Sequence, residues 1–592
     1  MPPSKPLPCS DEFATPEEYV EELLDFASTC DTWQILCGAV HVVDFFVTEP
    51  GLFYAALPAE WHAFLLSQDV MRLLDFFVRD DPDTATFADG QTPPESLVKY
   101  IKTIRRLALR RNVQPPPEAD ATLPALTRTV SVGMNPKKIH EVKRFADYVA
   151  RLSSDIAADA NDEVTHFVDF GSGQNYLGRA LASEPYNRRV VAVEGRQNNV
   201  DAAKSYDTQS GLAVKPKIFR NKKVWNKILE VVGPNKSDPE AMAAAIKEVV
   251  GDDGDNFRKI GSEELSYTVE EGKGLLQYIS GRLDNGDLSE VIEQIDNGSS
   301  AEDRKRLKLM AISIHSCGNL SHYGIRSLVL NPEIHAVAIV GCCYNLVTEK
   351  LGPPTYKHGY LRPTLQAVNG RVVQESDKRD PQGFPMSAKL STYRGQGIRA
   401  NITARMMACQ APQNWTPAES DLFFTRHFYR AVLQKIFLDR GAVHEVLYDP
   451  GKDAGVDPAT LGPFQKSTSP LAIGTLPKRS YSGGLVPYIR AAVAKLTTSS
   501  DYKKFADVMR ETMVDMTDAE MEAYLAKYAP RKKELCIVWS LMAYSATLIE
   551  ALMVTDRWVW LKEQDEVKDA WVETVFDFKQ SPRNMVIVGV KE

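Results

Sequence analysis

The sequence is poor in cysteine, with eight in 592 residues, and it contains no C-x-x-C pair. So few cysteines in so long a chain exclude the disulfide framework of small secreted domains. The first residues also lack the charged and apolar regions of a secretory signal. We therefore expect the protein in a reducing compartment, either the cytoplasm or the nucleus.

An excess of positive charge is missing as well. The formal net charge is −8, which argues against broad adhesion to nucleic acid or to an anionic membrane. This charge disfavours an RNA substrate, although a local basic patch on an acidic protein remains compatible with it. Because 592 residues exceed one compact core, we expect a main α/β domain with large additions.

No apolar run is clearly a membrane span. The nearest candidate, residues 536–554, reads CIVWSLMAYSATLIEALMV. Glu550 lies inside it, and serine and threonine dilute its hydrophobicity. Buried helices of α/β proteins have the same composition, so we interpret the run as a core helix and expect no stable membrane insertion.

The chain divides by pattern into a helical beginning and an alternating core. Apolar residues recur three and four apart near the start, which predicts a helical N-terminal domain over residues 1–125. A second domain is predicted over residues 126–592, with core strands from about residue 164. Irregular insertions are expected at about 210–305 and 351–500.

Strands and helices alternate within this second domain. Asn135 before Pro136 predicts the start of a helix that runs through Leu152. Two further segments predict parallel strands joined by a helix, which is a right-handed βαβ unit. The predicted strands are HFVDF before Gly171, Arg189–Glu194, Leu309–Ile314, Ala336–Val340, Val572–Phe576 and Met585–Val590.

The most informative run follows the first strand and reads DFGSGQNYL. Glycine lets a ligand approach the backbone and permits positive φ, and ligands of open α/β sheets bind at the carboxyl ends of strands. Glu194 ends the second strand, where a carboxylate can accept hydrogen bonds from both hydroxyls of a ribose. The predicted cofactor-binding residues are Asp169, Gly171, Ser172, Gly173, Asn175, Tyr176, Leu177, Glu194 and Gly195.

The charges at this run favour S-adenosylmethionine over NAD. The glycine after Gly173 is Gly178, two positions late for the dinucleotide pattern G-x-G-x-x-G. Asp169 opposes a pyrophosphate but suits the ammonium and ribose side of S-adenosylmethionine. Asn175 stands where methyltransferases often keep a third glycine, and asparagine tolerates a left-handed backbone. An ordinary strand–helix turn stays open as the alternative.

Two motifs at later strand ends are distinctive: HSCGNLS at His315–Ser321 and GCCYNL at Gly341–Leu346. With DFGSGQNYLGRAL, VAVEG, MNPKKIHEV, GFPMS and SPRN, they resemble the methyltransferase-like protein 25 family, which includes a protein named for a ribosomal RNA adenine dimethylase domain. The resemblance runs in patches from about Met134 to the C-terminus. It implies a class I S-adenosylmethionine-dependent methyltransferase, with an α/β Rossmann-like sheet that ends in an antiparallel hairpin.

The resemblance also bears on the substrate. A related motif pair occurs in tRNA ribose 2′-O-methyltransferases, but those have histidine where this chain has Tyr344. Amino methyltransferases usually carry N/D-P-P-Y/F after the fourth strand, whereas this chain has HSCG. We expect a methyltransferase acting on a macromolecule, either RNA or a protein of the translation machinery. A non-catalytic scaffold is the rival hypothesis, and a nicotinamide-dependent oxidoreductase is a third.

The later strand ends supply the predicted catalytic residues His315, Cys317, Tyr344 and Asn345. His315 is expected to act as a base or to contact the cofactor, with a loop-fixing histidine as the alternative. Cys317, Cys342 and Cys343 either line the methyl-transfer pocket or pack as small buried hydrophobes. Tyr344 either stacks on a planar target or packs in the core.

Two groups of residues could bind ions, but the sequence favours an ordinary structural role for each. No metal site is expected, because adjacent cysteines can hardly both ligate one ion. A short basic helix could grip phosphates, with a solvated helix face as the alternative. Its basic residues are Lys137, Lys138, Lys143 and Arg144.

Overall fold

A computed structural model gives the structure of the protein. It describes residues 2–40, 42–47, 49–87, 90–112, 123–160, 163–215, 222–251, 265–267, 272–296, 307–351, 379–447, 466–468, 471, 473, 474 and 476–591. The predicted insertions therefore fall partly outside the described residues.

Contacts divide the chain into two compact units. The first comprises residues 1–119, 283–288 and 313–592, and the second comprises residues 120–282 and 289–312. The change of unit after residue 119 lies close to the predicted boundary at residue 125. The N-terminal helices, however, share their unit with the second half of the chain.

The described residues contain helices over much of the regions where the sequence predicts them. Asn135 caps one of them, since its Oδ1 accepts a hydrogen bond from the Lys138 amide at 2.8 Å. That helix extends eight residues beyond the predicted Leu152. In chain order the helices are α1 Pro16–Thr29, α2 Asp31–Gln34, α3 Leu52–Ala56, α4 Ala59–Ser67, α5 Val70–Val78, α6 Glu95–Leu107, α7 Pro136–Ala160, α8 Tyr176–Ala182, α9 Gln197–Ser210, α10 Lys222–Val232, α11 Pro239–Val250, α12 Ser289–Ile292, α13 Leu320–Leu330, α14 Ala388–Thr392, α15 Ile402–Ala408, α16 Pro417–Asp439, α17 Lys478–Ser482, α18 Leu485–Thr498, α19 Ala506–Met513, α20 Asp518–Tyr528, α21 Lys532–Ser545 and α22 Thr547–Lys562.

The strands are β1 His166–Phe170, β2 Arg189–Glu194, β3 Ala213–Val214, β4 Ser266–Tyr267, β5 Leu275–Ser280, β6 Leu309–Cys317, β7 Ile334–Cys342, β8 Glu445–Leu447, β9 Lys466–Thr468, β10 Val567–Thr574 and β11 Met585–Lys591. Seven of them form one sheet in the order β10-β11-β7-β6-β1-β2-β5. The strands β5, β2, β1, β6 and β7 follow the 3-2-1-4-5 order of a doubly wound α/β sheet. The Rossmann-like expectation is therefore confirmed.

The last two strands make the antiparallel end of the sheet. β10 pairs with β11, with Val572 opposite Ile587, and β11 pairs antiparallel with β7, with Ile587 opposite Ile339. The expected C-terminal hairpin is thus confirmed. The prediction missed β5, which pairs in parallel with β2 and lies inside the interval assigned to the first insertion.

The apolar run at residues 536–554 forms most of α21 and the first half of α22. The helical stretch Asp518–Lys562 is long and apolar enough to cross a membrane, but 89% of its apolar window is buried inside the structure. Trp33 Nε1 donates a hydrogen bond to the Ser545 carbonyl at 3.0 Å. This burial is what a core helix shows.

Candidate functional site

The bend between β1 and α8 depends on three residues with positive φ. Gly171, Gly173 and Asn175 have φ values of 66°, 57° and 52°. The amide of Gly171 donates to the Val193 carbonyl at 2.9 Å, which continues the pairing of β1 with β2 past the end of the strand. Residues 169–177 are called the glycine loop below. Asparagine does adopt the left-handed backbone expected at position 175.

Glu194 faces the glycine loop. Its Oε2 accepts a hydrogen bond from the Gly173 amide at 2.8 Å, and its Oε1 accepts one from the Arg196 amide at 2.8 Å. A carboxylate offers about four lone-pair positions, so two remain for further donors. A Cβ built on Gly173 would meet no atom within 4 Å, so the bend borders open space.

Asp169 is a buried acid at the end of β1, with 4% of its surface exposed. Burial raises its pKa to about 8; nearby Lys138 lowers it, and nearby Glu194 raises it. No described residue donates a hydrogen bond to its carboxyl group. The hydroxyl of Ser172 is also buried without a hydrogen-bond partner among the described residues. These two polar groups leave hydrogen-bonding capacity at the loop unused.

Asn175 stands in place of a third glycine, and the structure explains how the chain accommodates it. A Cβ on Gly178 would lie 2.0 Å from Asn175 Oδ1, so Gly178 makes room for the asparagine side chain. Asn175 is fully buried, and its Nδ2 donates to the Tyr278 hydroxyl at 2.9 Å. Its side chain therefore points into the protein, and any contact of Asn175 with a cofactor would have to come from its backbone.

A buried polar network that no sequence pattern indicates supports the glycine loop. Asp207 accepts hydrogen bonds from the hydroxyl groups of Tyr278 at 2.6 Å and Tyr267 at 3.0 Å. Its other oxygen accepts one from Arg179 Nε at 3.2 Å. Arg179 also donates to the Gln174 carbonyl at 3.1 Å, so the network fixes the loop backbone.

The remaining predicted loop residues lie in three different environments. The Tyr176 hydroxyl donates to the Gly133 carbonyl at 2.9 Å, which ties the loop to the segment before α7. Leu177 is buried at 4% exposure and packs in the core. Gly195 is exposed, and a Cβ there would lie 3.0 Å from Arg282 Cγ. Of these three, Leu177 has the least access to a ligand.

The basic helix start is not simply a solvated face. Lys138 Nζ lies 3.2 Å from Glu141 Oε2, and Lys137 Nζ lies 3.8 Å from Glu141 Oε1. Glu141 and Arg144 are buried, with 1% and 5% of their surfaces exposed. The two lysines are thus partly neutralised within α7, and the solvated alternative is wrong for Arg144.

Three cysteine sulfurs meet at the ends of β6 and β7. Cys317 Sγ lies 3.3 Å from Cys342 Sγ and 3.4 Å from Cys343 Sγ. All three sulfurs lie within 4.8 Å of one another, and all three cysteines are free thiols. These residues are called the cysteine cluster below. Cys317 is exposed, so the interpretation as a buried hydrophobe is wrong for this residue.

The thiols of the cysteine cluster differ in their pKa values. Hydrogen bonds from Cys317 and Cys342 lower the pKa of Cys343 to about 3, and the positive charges of His315 and Arg583 act in the same direction. A hydrogen bond with Cys343 and burial raise the pKa of Cys317 to about 11, although its hydrogen bond with Cys342 acts the other way. These interactions favour the thiolate form at Cys343 and the thiol form at Cys317.

The two distinctive motifs interlock. The Gly318 amide donates to the Cys342 carbonyl at 3.3 Å, and Gly318 has φ 58°. A Cβ there would lie 2.6 Å from the Leu346 carbonyl oxygen, so the close approach requires glycine. Asn319 Nδ2 donates to Thr348 Oγ1 at 2.7 Å. These contacts fix the two strand ends against each other.

Tyr344 is a core residue with 1% exposure. Its hydroxyl donates to Glu550 Oε1 at 2.9 Å, and its ring lies 5.7 Å from each of the Arg557 and Arg583 guanidinium carbons. Arg583 NH1 lies 2.7 Å from Glu550 Oε1, and Arg111 pairs with Glu550 Oε2. The predicted stacking on a target is therefore wrong, because the ring is buried between cations.

Other motifs of the resemblance acquire structural roles. Arg583 of SPRN donates to the carbonyls of Ala408 and Gln410, both at 2.9 Å, and so holds the turn that carries Cys409. Cys409 Sγ contacts Asn345 Oδ1 at 3.5 Å, which places the half-buried Asn345 beside this turn. Ser387 of GFPMS donates through its hydroxyl to Asp556 Oδ1 at 2.6 Å.

The predicted site residues thus fall into two groups. The second unit brings together Asp169, Ser172, Gly173 and Glu194 around the bend. The first unit brings His315 next to the cysteine cluster. Sequence reasoning missed Lys138 as a cation that lowers the pKa of Asp169, and it missed Asp207 and Arg179 entirely. Buried partners of this kind have no local pattern that could reveal them.

Comparisons with known proteins agree with this fold. A family model described as a methyltransferase domain matches residues 137–350, which include the glycine loop and both distinctive motifs. The human protein named "Probable methyltransferase-like protein 25" is 23% identical over 522 residues, which cover 78% of this chain and 75% of the human protein. The mouse protein of the same name is 28% identical over 283 residues, which cover 48% of this chain and 37% of the mouse protein. No solved structure matches.

The matched methyltransferase domain agrees with the doubly wound sheet and its antiparallel hairpin. The chain is therefore similar to proteins named methyltransferase-like protein 25, and it carries a class I methyltransferase domain.

Proposed function

We propose that this methyltransferase uses S-adenosylmethionine, bound at the glycine loop and Glu194. The observation that carries the proposal is the open space beside Gly173 in the glycine loop, together with two acidic residues, Asp169 and Glu194, that retain unused hydrogen-bonding capacity. When bound, S-adenosylmethionine supplies a methyl group on a positively charged sulfur. An acidic, glycine-lined bend suits that charge better than it suits a pyrophosphate.

Each residue in and around the glycine loop has a distinct role in this proposal. Glu194 uses its two remaining lone-pair positions to accept hydrogen bonds from ribose hydroxyls. Asp169 releases its proton when a cation binds, because a nearby positive charge stabilises the carboxylate. The Ser172 hydroxyl supplies a donor that has no described partner in the protein. The Asp207 network keeps the loop in place before binding, which lowers the entropy cost of association.

The proposed substrate is a macromolecule, either RNA or a protein of the translation machinery, in the cytoplasm or the nucleus. The large additions to the core support this proposal, because a small-molecule methyltransferase has no need of so much extra surface. His315 stays our candidate for a base or a cofactor contact. Cys317, which is exposed at the end of β6, stays a candidate for the pocket. Tyr344 has no catalytic role in this proposal, because its side chain is buried.

Cofactor binding is tested by isothermal titration of the full chain with S-adenosylmethionine, S-adenosylhomocysteine and NADH. We expect binding of the first two, and a loss of binding in Glu194→Gln and Asp169→Asn. Glu163→Gln is the matched control, because that side chain is 77% exposed. NADH binding without S-adenosylmethionine binding would contradict the proposal in favour of an oxidoreductase.

The substrate is tested by transfer of labelled methyl groups to fractionated RNA and protein from cells that lack this chain. Label in an RNA fraction assigns RNA methylation, and label in a protein fraction assigns a protein target. Glu194→Gln should abolish the transfer. If the variant instead restores every phenotype of the missing chain, the scaffold hypothesis replaces the enzyme.

A further inference from the structure

We propose that Cys317, Cys342 and Cys343 form a binding site for one zinc ion. The proposal is independent of the S-adenosylmethionine site, because neither Asp169 nor Glu194 takes part in it. It rests on three observations: the convergence of the sulfurs, the unusual backbone that causes it, and the access that solvent has to one of them.

The convergence is tight enough for one ion to reach all three sulfurs. Zinc binds cysteine sulfur at about 2.3 Å, so one ion can bridge two sulfurs up to roughly 4.6 Å apart. The distances of 3.3 Å and 3.4 Å from Cys317 to its neighbours are well inside that range. Three sulfur ligands with cysteine as the donor type are typical of zinc among the common biological cations.

The backbone explains how adjacent cysteines reach one point. In a regular strand successive side chains point to opposite faces, which would separate Cys342 from Cys343. Cys343 instead adopts φ 47° and ψ 54°, a left-handed conformation that is rare for residues other than glycine. This turn directs the Cys343 side chain back toward Cys317. This geometry therefore allows the adjacent cysteines of this chain to reach one ion, contrary to the expectation from a regular strand.

Backbone strain of this kind persists only where surrounding contacts enforce it, and it is concentrated at functional sites. Here the enforcing contacts are those of Gly318 with Cys342 and Leu346. A cysteine that served only to fill space would need no such conformation. The strain is therefore a second argument that the three thiols act together.

The fourth coordination position is open to an external ligand. No further His, Cys, Asp or Glu of the described residues joins the three-sulfur group. Cys317 is exposed, so water or a ligand can reach the ion. An open position beside three protein ligands is the arrangement of catalytic rather than purely structural zinc sites.

The test uses the full chain, reduced, stripped of metal and kept free of oxygen. Cobalt(II) is the spectroscopic probe, because tetrahedral thiolate coordination gives visible d–d bands and near-ultraviolet charge-transfer absorption. We expect both at one equivalent of cobalt, and displacement of the cobalt by one equivalent of zinc. Zinc should also raise the thermal unfolding temperature of the chain.

Cys317→Ser is the primary variant, because an exposed residue tolerates the change. It and Cys343→Ser should weaken zinc binding by more than about 100-fold, since even loss of a residue behind the ligands costs 10–100-fold. Cys30→Ser is the control, because Cys30 is a half-buried thiol outside the cluster. Circular dichroism of each variant separates a loss of binding from a loss of folding.

Two results would overturn the proposal. One is the absence of a cobalt spectrum in the reduced protein, or a spectrum that Cys317→Ser and Cys343→Ser leave unchanged. The other is an intact mass showing a Cys317–Cys342 disulfide, together with no metal uptake after reduction. That second result would make the cluster a redox pair.

Discussion

The glycine loop and the surroundings of Tyr344 both contain a buried glutamate, but they satisfy it to different extents. Glu194 accepts two backbone hydrogen bonds and borders open space. Glu550 receives Arg111, Arg583 and the Tyr344 hydroxyl, all from the protein itself. A carboxylate whose partners are all internal stabilises the fold, whereas one with unused lone pairs beside open space can accept further hydrogen bonds. Five predictions test these two regions.

The largest expected effect is on stability, in Glu550→Gln. The substitution removes the negative charge between two arginines and leaves both guanidinium groups buried. Loss of one partner of a buried ion pair costs about 3–5 kcal/mol, so the first unit should unfold at much lower denaturant concentration. Urea unfolding measures this change, and the exposed Asp565→Asn is the control. A cost below about 1 kcal/mol would show that the network does not hold the fold.

The pH dependence of the same residue has a defined direction. Burial alone would raise the pKa of Glu550, but Arg111 and Arg583 lower it to about 2. A carboxyl group with a lowered pKa in the folded state stabilises the protein above its unfolded pKa of about 4.3. That contribution should be lost as the pH falls from about 4 toward 2, and Glu550→Gln should lack this part of the acid transition.

Glu194→Gln should change binding and leave stability nearly intact. Hydrogen bonds to a charged group contribute about 1.5–3 kcal/mol each, so two ribose contacts make a loss of about 100-fold in S-adenosylhomocysteine affinity a conservative expectation. The glutamine can still accept the Gly173 amide, so the unfolding midpoint should move little. Titration calorimetry and urea unfolding on the same preparation distinguish the two effects. A large loss of stability with unchanged affinity would place Glu194 in the same class as Glu550.

Gly178→Ala should disturb the glycine loop through Asn175. Its new Cβ would lie 2.0 Å from Asn175 Oδ1 in the present structure. Overpacking of this kind costs about 1–3 kcal/mol. The double variant Gly178→Ala with Asn175→Gly removes the clash and should recover much of the loss, which a double-mutant cycle measures. An additive double variant would show that the two residues do not share the space as described.

Local patterns predicted the glycine loop well because its causes are local. The strand before it, the turn residues within it and the helix after it lie inside about fifteen residues, and Glu194 ends the next strand. The sheet was also largely predictable, except for β5, which follows a long interval with little periodicity. Gln277 and Tyr278 interrupt the apolar content of this edge strand.

The surroundings of Tyr344 were unpredictable for the opposite reason. Glu550 lies 206 residues away in the chain, and SPRN lies further still. No local pattern signals that such segments meet. The cysteine cluster depends on one left-handed residue, Cys343, and a non-glycine residue gives no reliable sign of that conformation in the sequence. This region was therefore hard to predict for two reasons: its contacts join segments far apart in the chain, and one non-glycine residue has a left-handed backbone.

The smallest predicted effect is the pH dependence of cofactor binding through Asp169. Burial raises its pKa to about 8, so near pH 6.5 the free protein holds this carboxyl group mostly protonated. In the absence of ligand, the group stabilises the fold at low pH, and the contribution is lost as the pH rises from about 4 through 8.

A bound cation favours the ionised form, so binding must release the proton. Affinity for S-adenosylmethionine should therefore increase by about tenfold between pH 6.5 and pH 8.5, whereas Asp169→Asn should bind weakly with little pH dependence. Calorimetry in buffers of different ionisation enthalpy measures the released proton directly. If the wild type binds equally well at both pH values without proton release, Asp169 does not face the positive charge. Glu194 would then be the one acidic residue that distinguishes the binding region from the surroundings of Tyr344, where all the partners of Glu550 are internal.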